Sequence, residues 1–183
     1  RDDWKDLYEW TEKYELDIIR NWSPSKEEWV PLPYEEHQQE TVIAEKGMKE
    51  IMTVMETPEG PLTEIIHCPL DGSPGRVVKN FIEEVGDAKK YLSLPVQKEF
   101  PGVDSYFTLE KKTGERAMLM IEIDEALYAV QRKMGSEKFG YYLYDERDII
   151  RQMVDKEYKN LEALVKYYLS KNLGDCFGWV GPE

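Results

Sequence analysis

Apolar residues recur along this chain with two different spacings, and the points where the spacing changes mark its elements. Leu7, Tyr8 and Trp10 form the apolar side of a first helix that Asp2 or Asp3 can cap and that runs to about Lys13. Leu16 to Trp22 then reads as a short strand, closed by the loop Ser23-Pro24-Ser25. Pro31-Leu32-Pro33 forbids helix. Thr41, Val42 and Ile43 are β-branched, and Gly47 can turn the chain. From Ile51 to Thr57 the residues alternate, with Ile51, Thr53 and Met55 on one side and Met52, Val54 and Glu56 on the other. Pro58-Glu59-Gly60-Pro61 is a strong turn, and Leu62 to Cys68 follows as another strand. Three short strands over residues 39–68 predict an antiparallel meander, an excursion from a βα domain rather than a domain of its own.

The second half changes period. Arg76 to Val85 is a short amphipathic segment, Gly86-Asp87 opens a helical turn through Leu92, and Leu94-Pro95 ends it. A helix is expected from Val103 to Lys112, stopped by Gly114. Ala117 to Ile123 is continuously apolar apart from Glu122, which suits a parallel strand covered on both faces. Asp124 can cap a helix from Glu125 to Met134, and Gly135-Ser136 restarts one containing Phe139, Tyr141, Tyr142 and Leu143. Asp145 can cap a long helix to about Asn172, whose stripe includes Ile149, Ile150, Met153, Val154, Leu161, Leu164, Val165 and Leu169. Gly174 fits the stop, and Cys176 to Val180 reads as a short buried strand opening into a Gly-Pro turn with Glu183.

Strands separated by helices imply a parallel sheet or barrel, and chemistry in such folds sits where the strands end. Three parallel strands are too few to close a barrel. The chain also begins at Arg1 without an initiator Met and ends at a strand terminus. The expectation is a piece of a larger enzyme, cut inside its catalytic domain.

Composition narrows the function classes. Hydrophobic content of 41% and aromatic content of 12% argue for a packed core. The net charge of −13 disfavours nucleic acid and anionic membranes as partners. No apolar run reaches membrane-spanning length. Cys68 and Cys176 lie in no metal or redox motif and read as buried reduced thiols, which predicts a cytoplasmic protein.

Several motifs, in order, resemble the uroporphyrinogen decarboxylase superfamily. Thr57-Pro58-Glu59-Gly60-Pro61-Leu62 is similar to its hairpin, and Lys79-Asn80-Phe81-Ile82 and Gly86-Asp87-Ala88-Lys89-Lys90-Tyr91-Leu92 to the segments after it. Met134-Gly135-Ser136-Glu137-Lys138-Phe139, Leu143-Tyr144-Asp145-Glu146, Leu173-Gly174-Asp175 and Phe177 to Glu183 resemble later ones. The chain has Trp22-Ser23-Pro24 where the porphyrinogen enzymes place an aspartate. The resemblance implies an α/β fold, a partial (β/α)8 TIM-like barrel with the three-strand meander inserted. On that reading residues 1–183 are one incomplete barrel domain, and 116–183 are its βαβ portion. It implies a carboxy-lyase acting without a cofactor on a porphyrinogen or related tetrapyrrole. The alternative in the same superfamily is methyl transfer between a methyl donor, a corrinoid and a thiol, with zinc. A homodimer is left open.

The candidate catalytic residues are Asp124, at the end of the clearest strand, and Glu183, after the Gly-Pro turn. The plainer reading of Asp124 is a helix cap, and that of Glu183 an exposed terminus. Glu122 sits in an apolar strand, where a carboxylate is costly unless paired or facing a polar cavity. Trp22 and Trp179 end strands and either wall a pocket or pack the core; Tyr128, a helical turn after Asp124, could face the same rim. Trp22, Glu122, Tyr128 and Trp179 are therefore the substrate-binding candidates. His37 and His67 share no segment, and no metal ligands are assigned. A second class of function remains beside the enzyme: a non-catalytic acidic module binding a protein through Tyr141, Tyr142, Tyr144, Tyr158, Tyr167 and Tyr168.

Overall fold

The computed structural model describes residues 5–174 and 176–180. The proposed caps Asp2 and Asp3 and the turn Gly181-Pro182-Glu183 lie outside them. The elements run α1 (Lys5–Lys13), β1 (Ile18–Trp22), β2 (Glu36–Ile43), β3 (Met48–Met55), β4 (Leu62–Pro69), β5 (Arg76–Lys79), α2 (Val85–Ser93), α3 (Asp104–Thr113), β6 (Ala117–Asp124), α4 (Ala126–Met134), α5 (Ser136–Asp145), α6 (Arg147–Ser170) and β7 (Cys176–Val180). The chain divides into two compact units. One holds residues 1–30, 99–124 and 162–183; the other holds 31–98 and 125–161, so the division falls within α6. Among the described residues no helix is long and apolar enough to cross a membrane.

Unit 1 is built on a parallel sheet of order β1-β6-β7. Ile18 to Trp22 lie beside Ala117 to Ile121, and Met120 to Asp124 beside Cys176 to Val180. Leu119, Ile121 and Ile123 point to one face and are buried with Trp22, Val103, Tyr106, Tyr168 and Leu173. Each such apolar side chain removed from water contributes on the order of 1.5–3 kcal/mol. Ile19, Met118 and Glu122 are exposed on the opposite face. This sheet is thus covered on one side only, against the expectation of a strand buried on both.

Unit 2 combines an antiparallel sheet of order β2-β3-β4-β5 with the helices α2, α4, α5 and the first part of α6. The β3–β4 turn forms because Gly60 adopts φ +110°, and the Thr57 hydroxyl donates to the Gly60 carbonyl at 2.6 Å. Its core joins Met55 and Leu62 from one end of the sheet to Ile82, Ala88, Tyr91, Val130, Met134, Ile150 and Met153.

The expected barrel is not the observed architecture. The described residues hold a three-strand parallel sheet and a separate four-strand antiparallel sheet. Barrel closure needs tilted strands joined edge to edge around a ring, and neither outer strand of the parallel sheet, β1 or β7, has a second neighbour among the described residues. The meander has four strands, not three: Arg76–Lys79 pairs with β4 across a bulge at Ile65 and Ile66. Two helix starts also differ. Glu125 rather than Asp124 is the residue before α4, and α6 begins at Arg147, after Asp145 has ended α5.

Candidate functional site

The register of the parallel sheet decides which candidates come together. Side chains alternate across a strand, so Glu122 and Asp124 leave β6 on the same side, as does Met120. This is the open face. On the neighbouring strand Asn21 belongs to that face too, and its side-chain amide donates to the Glu122 carboxylate. Gly178, opposite Glu122 on β7, leaves space that the Met120 thioether occupies; a Cβ there would lie 2.6 Å from the Met120 sulfur. Two carboxylates, an amide and a thioether floor therefore share the carboxyl-terminal half of one exposed sheet face. Ile19, 62% exposed, and Met118, 41% exposed, continue the apolar floor toward the strand starts. Such a surface can hold a flat, partly apolar molecule and offer carboxylates to an N–H group or a developing positive charge.

The two tryptophans go elsewhere. Trp22 is only 4% exposed. It packs edge-on against Tyr106, ring centres 5.3 Å apart, and Tyr168, 5.8 Å apart. Its indole N–H donates to the Ser105 hydroxyl at 3.0 Å. Trp179 pairs with Ile123 across β6–β7 and is 69% exposed, at the end of the face opposite to Glu122. Tyr128 belongs to unit 2, where the Arg132 guanidinium lies 4.9 Å from its ring centre. Glu183 lies outside the described residues. The structure thus unites Glu122 with Asp124, adds Asn21, and turns Trp22 and Trp179 to the opposite side of the sheet.

A second polar constellation was not singled out from the sequence. Ser105, at the start of α3, receives the Trp22 N–H and passes its own hydroxyl proton toward the Glu28 carboxylate. Glu28 also accepts the backbone N–H of Ser105 at 2.7 Å and of Ser25 at 2.8 Å. Desolvation opposes ionisation of Glu28, but these donors outweigh it and hold the carboxyl down to about 2. Beside this network Trp22, Ser23, Ser25, Ser105, Thr108, Leu109 and Lys112 line a shallow concavity of about 380 Å³. The signal in sequence is only a serine following an acidic residue at a helix start; its partner lies 77 positions away.

A cavity of about 300 Å³, lined by Thr11, Glu12, Leu16, Ile18, Arg20, Lys112, Thr113 and Ala117, opens at the starts of β1 and β6. That is the end of a parallel sheet opposite to where ligands bind. Among the described residues no three His, Cys, Asp or Glu side chains gather to hold a metal ion. Both cysteines are free thiols, and neither is fully buried. Comparison of the chain with protein-family models, curated proteins and solved structures finds no match.

Proposed function

We propose that unit 1 carries the substrate-facing sheet of a small-molecule carboxy-lyase of the uroporphyrinogen decarboxylase type. The observation that supports this most directly is the pairing of Glu122 and Asp124 on the open face at the carboxyl-terminal end of β6, where α/β enzymes place their chemistry.

The chemistry follows from what two carboxylates over an apolar floor can do. In a pyrrole bearing an acetate side chain, protonation of a ring carbon makes the ring cationic and lets it accept electrons. The bond to the carboxylate then breaks, its electron pair enters the ring system, and carbon dioxide leaves. A proton added to the exocyclic carbon and one lost from the ring carbon complete a methyl group. Asp124 would accept the ring N–H and stabilise the cation, an electrostatic contribution that is larger over an apolar floor than in water. Glu122, oriented by the Asn21 amide, would hold the substrate rather than exchange protons.

The test is turnover of a porphyrinogen under anaerobic conditions, followed by separation of products by carboxyl number. Asp124→Asn is expected to lower turnover by at least about a hundredfold, the usual scale for a positioned charged group. Asn21→Ala is expected to act mainly on substrate affinity. No loss of carboxyl groups with the unaltered protein would remove this reading.

A further inference from the structure

The antiparallel sheet of unit 2 has two outer strands that differ in kind. β5 is four residues long, begins with Arg76, ends with Lys79 and meets β4 across a bulge. Short length, basic ends and a bulge are the means by which proteins keep an outer strand from pairing further. β2 has none of them. It runs eight residues, Glu-His-Gln-Gln-Glu-Thr-Val-Ile, without proline, lysine or arginine. It pairs with β3 in unbroken register from Glu36–Met55 to Ile43–Met48. Every residue from Glu36 to Val42 is exposed.

The ladder shows which backbone groups of β2 remain open. The Glu56 N–H donates to the Glu35 carbonyl at 2.9 Å, so Glu35–Glu56 is a hydrogen-bonded pair. Such pairs alternate with non-bonded ones. His37, Gln39, Thr41 and Ile43 therefore turn their peptide groups toward β3. Glu36, Gln38, Glu40 and Val42 turn theirs outward, a row of four donors and four acceptors.

Charge selects what can use that row. Glu35, Glu36, Glu40 and Glu45 lie on or beside β2, against Lys46 and the Lys49 that is 2.9 Å from Glu40. Glu36 acts on its surroundings as a negative source, since it helps to push the Glu64 carboxyl and the Tyr34 hydroxyl up. A second copy of the same strand would bring glutamates against glutamates, on chains that each carry −13. A basic strand would meet the opposite sign.

We propose that the outer edge of β2 is a docking edge for an extended basic segment of a partner protein, added to the sheet as a fifth strand. Glu36, Gln38, Glu40 and Val42 share one face, so lysine or arginine is expected at alternate positions of that segment. Uncharged residues would lie between them, beside Gln39, Thr41 and Ile43. The edge belongs to unit 2, and its use does not depend on the chemistry of the unit 1 carboxylates.

The experiment titrates the full chain with a fluorescein-labelled eight-residue peptide of alternating lysine and threonine, and with its glutamate counterpart. Amide hydrogen exchange is read at Gln38, Glu40 and Val42 in both states. The basic peptide is expected to bind at least tenfold tighter than the acidic one and to protect those three outward amides. Gln38→Pro removes one outward N–H without touching the ladder to β3, and is expected to weaken binding severalfold while the thermal transition is kept. Should that variant unfold the sheet, the exchange pattern of the unaltered chain decides alone. Binding of the basic peptide without protection of those amides would overturn the proposal, as would equal binding of both peptides. Slow exchange of the outward amides in the free chain together with dimeric elution would place a second copy on this edge and overturn it too.

Discussion

Glu28 is held by three donors, two of them from Ser105, and Ser105 in turn accepts the indole N–H of the buried Trp22. Ser105→Ala removes the acceptor of Trp22 and one donor of Glu28 together. The expected loss of stability is about 1–3 kcal/mol, read from the urea midpoint, because a buried indole N–H is left without a partner. The pH dependence has a definite sign. Its hydrogen-bond donors hold the Glu28 carboxyl down to about 2 in the folded chain, below its ordinary value of 4.5. Its contribution is therefore complete above about 4.5 and is lost as pH falls from there toward 2. Glu28→Gln should flatten that part of the stability profile; an unchanged acid limb would show that the carboxylate contributes nothing to it. None of this was legible beforehand. Trp22 carried a strand-end signal that fits a pocket wall and a core residue equally, and no local pattern connects Glu28 to Ser105. Glu122 was legible as an anomaly, a carboxylate in an apolar strand, but its Asn21 partner depends on the register of a strand about a hundred residues away.

At the scale of elements, the carboxyl end of α2 shows how a helix is stopped. Lys156 reaches from α6 and donates to the carbonyls of Tyr91 at 2.9 Å, Leu92 at 3.2 Å and Leu94 at 2.6 Å. A helix end leaves its last carbonyls short of backbone donors, here only the Tyr91 carbonyl also accepting the Leu94 N–H, and a cation suits that end of the dipole. Burial pushes the Lys156 ammonium down, partly offset by Glu157, whose carboxylate also accepts a hydrogen bond from the Tyr91 hydroxyl at 2.6 Å. Lys156→Met keeps the aliphatic stem but takes the ammonium from the Leu92 and Leu94 carbonyls, the Tyr91 carbonyl keeping the Leu94 N–H at 3.2 Å, so it should cost about 1–3 kcal/mol in thermal unfolding. A loss below 0.5 kcal/mol, on the scale of a neutral surface substitution, would mean that water replaces the ammonium. After α6, Gly174 has φ +116°, and a Cβ would fall against the Phe177 ring. Gly174→Ala should therefore destabilise unit 1 by more than the roughly 1 kcal/mol of a backbone effect alone, measured by the same transition. Elements of this kind were readable because period, proline and glycine act locally: β7 and the start of α5 coincide with their sequence signals. β5 was not, because its four residues are all exposed and so carry no alternation to read.

For the molecule as a whole, the order of helices and strands made a parallel sheet legible, but neither the way in which it ends nor the side on which it is covered. The apolar run of β6 suggested burial on both faces, yet its methionines and Glu122 line an open one. Charge is the other property of the whole. Thirty-seven acidic against twenty-four basic residues leave −13, and repulsion among them opposes the folded state. Salt acts on two opposing effects. It weakens exposed pairs such as Lys166–Glu162 and Lys49–Glu40, each at 2.9 Å, which are worth about 0–1 kcal/mol each. It also screens the long-range repulsion, since the Debye length falls from about 30 Å at 0.01 M to about 8 Å at 0.15 M. The acidic excess outnumbers the exposed pairs among the described residues, so the second effect dominates. The melting temperature at pH 7 should rise across that range by a few degrees, the shift that about 1 kcal/mol produces in a chain of this size. Urea midpoints measured at both salt concentrations give an independent reading of the same quantity. A fall in either would mean that the ion pairs outweigh the repulsion, and that the acidic balance is neutralised locally rather than spread over the surface.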